Sequence, residues 1–124
     1  MTIKVLAIDD SRTIRALVRR VLEEAGFTCI LADDGVAGVA RFAEDLPDVV
    51  ITDINMPNMD GYGVITSIRS GKVKSDVPIL VLTTESAPHL KARAREAGAT
   101  GWIVKPFDDA AIISVVRRVT GARV

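Results

Sequence analysis

Five short apolar runs, separated by longer segments with helical periodicity, constrain the fold of this chain more than any other feature. The runs are Ile3 to Ile8, Thr28 to Ala32, Val49 to Thr52, Ile79 to Leu82 and Gly101 to Val104. Three of them are almost wholly apolar, which is typical of parallel strands that are covered on both faces. The alternation predicts an α/β fold of five βα units, with right-handed crossovers and an open, doubly wound parallel sheet.

The segments between the runs carry apolar residues at the spacing of amphipathic helices. The first helix is the clearest, with Asp10 or Ser11 as its N-cap and Gly26 as its stop. The apolar sets of the other four are Val36, Val39 and Phe42; Tyr62, Ile65 and Ile68; Leu90, Ala94 and Ala97 after Pro88; and Ile112, Val115, Val116 and Val119 after a cap at Asp108 or Asp109.

The composition fits one folded domain and excludes some classes of function. The chain has 124 residues, a length that suits a single core, and we expect one domain over residues 1–124 with no output domain. Sixteen basic residues balance sixteen acidic ones, and no dedicated element for nucleic-acid binding is present. The first apolar run is too short for a signal peptide or a membrane span, so a cytoplasmic protein is expected.

Two local features each have a simple interpretation. Arg12, Arg15 and Arg19 share a stripe of the first helix, which is either a solvated face or a docking surface for an acidic partner. Cys29 is the only cysteine, so no disulfide forms within the chain. Its apolar surroundings predict a small buried side chain rather than a redox group.

Polar side chains follow four of the five predicted strands. They are Asp9 and Asp10 after the first strand, Asp53 after the third, Thr83 after the fourth and Lys105 after the fifth. Ligands of open α/β sheets bind beyond the carboxyl ends of the strands, so these side chains are expected to converge. Each one alone is explained by a cap, a turn or a solvated chain, but together they predict a functional site.

The residue types at this edge point to phosphoryl chemistry. Three carboxylates repel one another unless a cation enters, and oxygen ligands without His or Cys favour a hard ion such as Mg²⁺. Lys105 supplies a fixed positive charge and Thr83 a hydroxyl donor for a transferring phosphoryl group. Asp53 is the candidate nucleophile, since a carboxylate can carry phosphate as an acyl phosphate.

The motifs AIDDSR, ITDINMPNMDG, LTTES and VKPF resemble the receiver domain of two-component response regulators, from Ile3 to about Val119. The resemblance implies a flavodoxin-like sheet with strand order 2-1-3-4-5. It also implies that Asp53 accepts a phosphoryl group from a sensor histidine kinase or a phosphotransfer protein, and that Thr83 and Lys105 contact this group. The implied Mg²⁺ ligands are the side chains of Asp9, Asp10 and Asp53 and the backbone carbonyl of Asn55.

Within this family the chain is most similar to stand-alone chemotaxis regulators of the CheY type. That likeness implies a chemotaxis kinase as donor, the flagellar motor switch protein as output partner, and a monomeric switch that is not an enzyme. A phosphate sink and a phosphorelay intermediate are the alternatives within the family. Thr83 and Trp102 occupy the switch positions, and Trp102 either turns on phosphorylation or is simply packed between helices.

Two alternatives fit the sequence less well than a phosphorylated receiver. A small Mg²⁺-dependent aspartyl phosphohydrolase, as in haloacid dehalogenase-like enzymes, carries a second acid two residues after its nucleophile and has a cap. Here Asn55 stands two residues after Asp53, and no residues remain for a cap. A receiver that never takes phosphate is disfavoured because all five key side chains are present.

Overall fold

A computed structural model describes residues 2–121 and confirms the alternation of five strands and five helices. The strands are β1 Lys4–Ile8, β2 Thr28–Ala32, β3 Val49–Thr52, β4 Ile79–Thr83 and β5 Gly101–Val104. The helices are α1 Arg12–Glu24, α2 Gly35–Asp45, α3 Gly61–Arg69, α4 Pro88–Ala97 and α5 Asp109–Thr120. Three of the predicted strands match to the residue, while β1 begins one residue later and β4 ends one residue later than predicted.

All five strands are parallel and lie in the order β2-β1-β3-β4-β5, as the family resemblance implied. Val5 in β1 pairs with Cys29 of β2 on one side and with Val49 of β3 on the other. The strand order therefore reverses between β1 and β3. The carboxyl ends of these two strands form the crevice in which such sheets bind their ligands.

Helices cover both faces of the sheet, which explains why the strands are continuous apolar runs. Val50 of β3 packs on the side of α2, α3 and α4. Its neighbours Val49 and Ile51 pack on the side of α1 and α5. All four residues of β3 are buried. Among residues 2–121, no helix is both long enough and apolar enough to cross a membrane.

The helices begin at the same edge of the sheet at which the strands end. Ser11, rather than Asp10, caps α1 by accepting a hydrogen bond from the Ile14 amide at 3.2 Å. Asp60 caps α3 in the same way, through the Gly63 amide at 2.8 Å. Helix N-termini carry partial positive charge, so this edge favours anions.

One residue assigned to an apolar helix face points away from the core. Val36 is 52% exposed, although the sequence pattern placed it with Val39 and Phe42. The buried face of α2 is formed by Gly35, Gly38 and Phe42 instead. Gly38 lies so close to β1 that an added Cβ would be 2.4 Å from Ile8 Cδ1. A face made of glycine lets the helix approach the sheet, and counting apolar side chains cannot detect it.

Cys29 is buried in β2, as predicted. Burial raises the pKa of its thiol from 9.0 to about 12, the charge of Glu23 adds to this effect and the charge of Arg19 opposes it. Because the folded-state pKa is the higher one, unfolding releases a proton between these values. The stability contributed by Cys29 is therefore complete below pH 9.0 and is lost as the pH rises through about 12.

This burial predicts low reactivity of Cys29 in the native protein. At pH 8, folding lowers the thiolate fraction by roughly 1000-fold, so a disulfide reagent should react far more slowly than after unfolding in guanidinium. Absorbance of the released thiol gives both rates. Native labelling at the rate of the unfolded chain would contradict the buried position.

Candidate functional site

Three carboxylates meet at the carboxyl ends of β1 and β3. One oxygen each of Asp9, Asp10 and Asp53 lies within 4.8 Å of the others. Asp9 and Asp53 are only 5% and 8% exposed, whereas Asp10 is exposed. The sheet continues up to this point, because Asp9 donates its amide to Ala32 O at 3.1 Å and Asp53 donates to Ile8 O at 3.0 Å. The carboxylates are thus attached to a rigid sheet rather than to free loops.

Lys105 is the counter-ion of two of these carboxylates. Its Nζ donates to Asp9 Oδ2 at 2.8 Å and to Asp53 Oδ2 at 2.9 Å. Its backbone amide donates to Thr83 O at 2.8 Å, and its peptide bond to Pro106 is cis. Burial alone would lower the pKa of Lys105, but the hydrogen bonds and charges of Asp9 and Asp53 outweigh it, so the pKa lies above its ordinary value. Lys105 is therefore a cation at neutral pH.

Backbone amides hold the second oxygen of each buried carboxylate. Asp53 Oδ1 accepts from the Ile54 amide at 2.6 Å, and Asp9 Oδ1 accepts from the Ser11 amide at 2.9 Å. Arg15 donates through Nη1 to the Asp9 carbonyl at 2.7 Å. Arg15 is half-buried, so it is not part of a fully solvated stripe as the sequence pattern allowed. Asp53 is consequently fixed in one orientation.

The two predicted switch residues meet the same loop after β4. Thr83 is only 1% exposed, and its Oγ1 accepts from the Glu85 amide at 3.4 Å. Trp102 is half-buried, packs against the core cluster that contains Ala94, and donates from Nε1 to Glu85 O at 3.0 Å. The indole is thus packed against the core and also hydrogen-bonded to the loop after β4, called the switch loop below.

Three residues that the sequence pattern did not single out connect the loops around the site. Glu85 Oε1 accepts from Asn55 Nδ2 at 3.4 Å. On the other side, Asn58 Nδ2 donates to Asp34 Oδ2 at 2.6 Å. Asn58 has a positive φ of 69°, a conformation that Asn tolerates better than most residues. The Asn in PNMD, a residue type that favours turns, was the sequence signal for the contact of Asn58 with Asp34.

The donor set fits a hard divalent cation. The side chains that could hold such a cation are three carboxylates, and the predicted backbone ligand, Asn55, follows Asp53 by two residues on the same loop. The single histidine, His89, is exposed at the start of α4, and the single cysteine, Cys29, is buried in β2. A set of oxygen ligands without nitrogen or sulfur matches the preference of Mg²⁺.

Comparison of the sequence and of the structure with known proteins finds response regulators and their receiver domains. The profile of the response regulator receiver domain matches residues 5–117. The structure of the chemotaxis protein CheY4 of Vibrio cholerae superposes with a TM-score of 0.92 at 39% identity, over 96% of this chain and 99% of that one. The chain is also 40% identical over 123 residues to a probable transcriptional regulator, ycf27, of Guillardia theta.

Relatives of this kind are often longer than the present chain. The match covers 96% of this chain but 47% of ycf27. The sensor histidine kinase CheAY of Helicobacter pylori is 34% identical over 116 residues, which are 92% of this chain and 14% of that kinase. The chain thus spans about half the length of the transcriptional regulators it matches, and a much smaller part of the kinase.

Proposed function

The chain belongs to the response regulator receiver family of two-component signalling, and on that premise we propose that Asp53 is its phosphoacceptor. Receiver domains are signalling switches rather than enzymes in the general sense, and histidine kinases phosphorylate them. One observation carries the proposal of a phosphoryl-accepting site: Lys105 Nζ contacts both Asp9 and Asp53 beside a third carboxylate. The position of Asp53 in the ITDINMPNMDG motif makes it, rather than Asp9, the proposed acceptor. A nucleophile, a counter-ion and a set of metal ligands are then combined at one point.

The proposed transfer uses groups that are already in place. An oxygen of Asp53 forms a bond to phosphorus, the bond between phosphorus and the histidine nitrogen of the donor breaks, and that nitrogen keeps the electron pair. Lys105 then pairs with an oxygen of the transferred group, and the Thr83 hydroxyl donates to another. The carboxylates of Asp9, Asp10 and Asp53 and the backbone carbonyl of Asn55 would hold Mg²⁺, which would neutralise charge on the phosphoryl oxygens.

The switch step follows from the contacts of Thr83. The phosphoryl group carries about two negative charges, in place of the single charge of the Asp53 carboxylate, and its oxygens draw the Thr83 hydroxyl toward them. The Glu85 amide, which donates to that hydroxyl, moves with it. The Glu85 carbonyl receives the Trp102 indole, so the displacement reaches the surface formed by α4, β5 and α5. We place the output surface there.

Trp102 provides its own test of this step. It is the only tryptophan, so its emission reports one site. Because its N–H partner lies on the switch loop, beryllofluoride with Mg²⁺ should change the emission intensity or wavelength of the wild type. The same addition should leave Asp53→Asn unchanged. Unaltered emission in a wild type that binds the mimic would support a purely packed indole.

Phosphotransfer tests the proposed function directly. The chain is mixed with a radiolabelled, phosphorylated histidine kinase in the presence of Mg²⁺. We expect the label to pass from the kinase to this chain, up to one phosphoryl group per molecule, and chelation of Mg²⁺ to stop the transfer. Absence of transfer from a panel of kinases and from acetyl phosphate would refute the function.

The likeness to CheY4 supports a chemotaxis role. We propose a chemotaxis kinase as donor and the flagellar motor switch protein as output partner. The test is a pull-down of that protein with and without beryllofluoride, and mimic-independent capture would contradict a switch.

A phosphate sink, a relay intermediate and, from the likeness to ycf27, a regulator of transcription are the alternatives. A single-domain monomer in the cytoplasm stays a prediction.

A further inference from the structure

The loop between β3 and α3 is tied to the start of α2 by a hydrogen bond that the mechanism above does not use. Asn58 Nδ2 donates to Asp34 Oδ2 at 2.6 Å, while Asp34 Oδ1 caps α2 by accepting from the Ala37 amide at 2.7 Å. Two hydrogen bonds lower the pKa of Asp34: the larger effect comes from the backbone amide of Ala37 and the smaller from the side-chain amide of Asn58. Asp34 is therefore an ionised acceptor at neutral pH, and the bond is charge-assisted.

Backbone contacts on both sides restrict where this loop can lie. Asn58 is held at a φ of 69°, in the left-handed region that few residues with side chains adopt. An added Cβ on Gly35 would be 2.3 Å from Met59 O, so the loop rests directly on the first residue of α2. At the other end of the loop, Gly61 donates its amide to Ile54 O at 2.8 Å.

Asn55 lies between these anchors. Among residues 2–121, the one hydrogen bond of its side chain is a long contact of 3.4 Å to Glu85, and the residue is exposed. The shortest side-chain hydrogen bond from this loop to another part of residues 2–121 is the one from Asn58, three residues further on. Because Asn55 and Asn58 lie three residues apart on one loop, we expect a displacement of Asn58 to move the Asn55 carbonyl.

We infer that the Asp34–Asn58 hydrogen bond positions the Asn55 carbonyl and thereby sets the affinity of the site for Mg²⁺. This inference rests on the proposed function, because it takes the Asn55 carbonyl as a metal ligand. Neither Asp34 nor Asn58 contacts the reacting atoms, so both are positioning residues. Removal of such a residue, which holds a metal ligand in position without contacting the metal, commonly weakens metal affinity by about 10- to 100-fold.

Asn58→Gly is the most specific variant. It removes the side-chain amide of residue 58, leaves the negative charge of Asp34 in place, and still allows a positive φ at this position. Titration of the full chain with Mg²⁺ in a calorimeter should show a Kd about tenfold higher than that of the wild type. Labelling by acetyl phosphate should be slower at low Mg²⁺ and should recover at saturating Mg²⁺. Thermal unfolding followed by circular dichroism verifies that the variant is folded.

Asp34→Ser provides a second, independent variant. Serine still caps the helix but is too short to reach Asn58. We expect a similar rise of the Kd, and no further rise when Asp34→Ser and Asn58→Gly are combined, because both remove the same contact. Asp33→Ser is the matched control for lost charge, since Asp33 is exposed and adjacent. Its Kd should change by less than about twofold.

The outcomes separate this inference from the proposed function. If the wild type binds Mg²⁺ and is labelled while both variants bind Mg²⁺ equally well, the positioning role is wrong and the function stands. If labelling of Asn58→Gly stays slow at saturating Mg²⁺, the contact acts on another step and the inference is again overturned. If the wild type neither binds Mg²⁺ nor takes phosphate, both fail together.

Discussion

Replacing Asp53 with Asn should abolish phosphorylation of this chain. Asparagine has the same shape, and its Oδ1 can still accept the Ile54 amide that now bonds the carboxylate at 2.6 Å. It lacks the negative charge that makes the oxygen a nucleophile. Its amide group would also meet Lys105 Nζ, which now contacts Asp53 Oδ2 at 2.9 Å. We expect labelling by acetyl phosphate or by a phosphorylated kinase to fall at least about 100-fold, to background.

Asp10→Asn is the matched control for this variant. It removes one carboxylate from the same cluster but leaves the nucleophile and Lys105 in place. Asp10 is exposed, so its loss should weaken Mg²⁺ binding and slow labelling at low Mg²⁺ without preventing it. Undiminished labelling of Asp53→Asn, with the phosphate mapped to another side chain, would overturn the assignment of the phosphoacceptor.

Replacing Arg69, at the end of α3, should lower the stability of the domain more than the other substitutions proposed for this chain. Its guanidinium donates to Gly98 O from Nε at 3.0 Å and from Nη2 at 2.8 Å. Nη1 donates to Ser75 O at 2.7 Å and to Val77 O at 2.6 Å. Arg69 thus joins the end of α4 to the segment that leads into β4. Burial lowers the pKa of Arg69, and the charge of Asp76 opposes this effect.

Arg69→Met should lower the free energy of unfolding by about 3 kcal/mol, because the methylenes remain but three carbonyl groups lose a charged donor. In a domain of this size that corresponds to a fall in Tm of about 10 °C. Urea unfolding followed by circular dichroism measures it. Arg95→Met is the control, since Arg95 is exposed on α4 and should change stability by less than about 0.5 kcal/mol. Equal effects in both variants would contradict the role of Arg69.

Much of the fold was predictable because strands that are buried on both faces appear in the sequence as continuous apolar runs. A strand such as β3, with neighbours on either side and helices above and below, contains only residues that tolerate complete burial. The face of α2 was predicted less well. Gly35 and Gly38 form that face by the absence of side chains, and apolar periodicity does not register glycine.

The predictable part of the site is the part that parallel strands impose. Asp9, Asp53, Thr83 and Lys105 stand at or just beyond strand ends, and parallel register brings such ends to one edge. The contacts of Arg15 with the Asp9 carbonyl and of Glu85 with Trp102 were not predicted. They involve backbone carbonyls in turns, whose positions depend on loop conformation rather than on any periodic pattern.

The order of the strands has a consequence for how motion is distributed. Strand β3 is buried throughout and lies inside the sheet, whereas β5 is an edge strand whose residues are half-buried or exposed. Backbone amides of such an inner strand exchange with solvent only through near-global opening, while edge strands open locally at a lower free energy. Asp53 follows an inner strand, which we expect to open only together with the whole domain, and Trp102 lies on an edge strand, which we expect to open at a lower free energy. We therefore expect a change in free energy at Asp53 to alter the conformations around Trp102 while the inner strands stay folded.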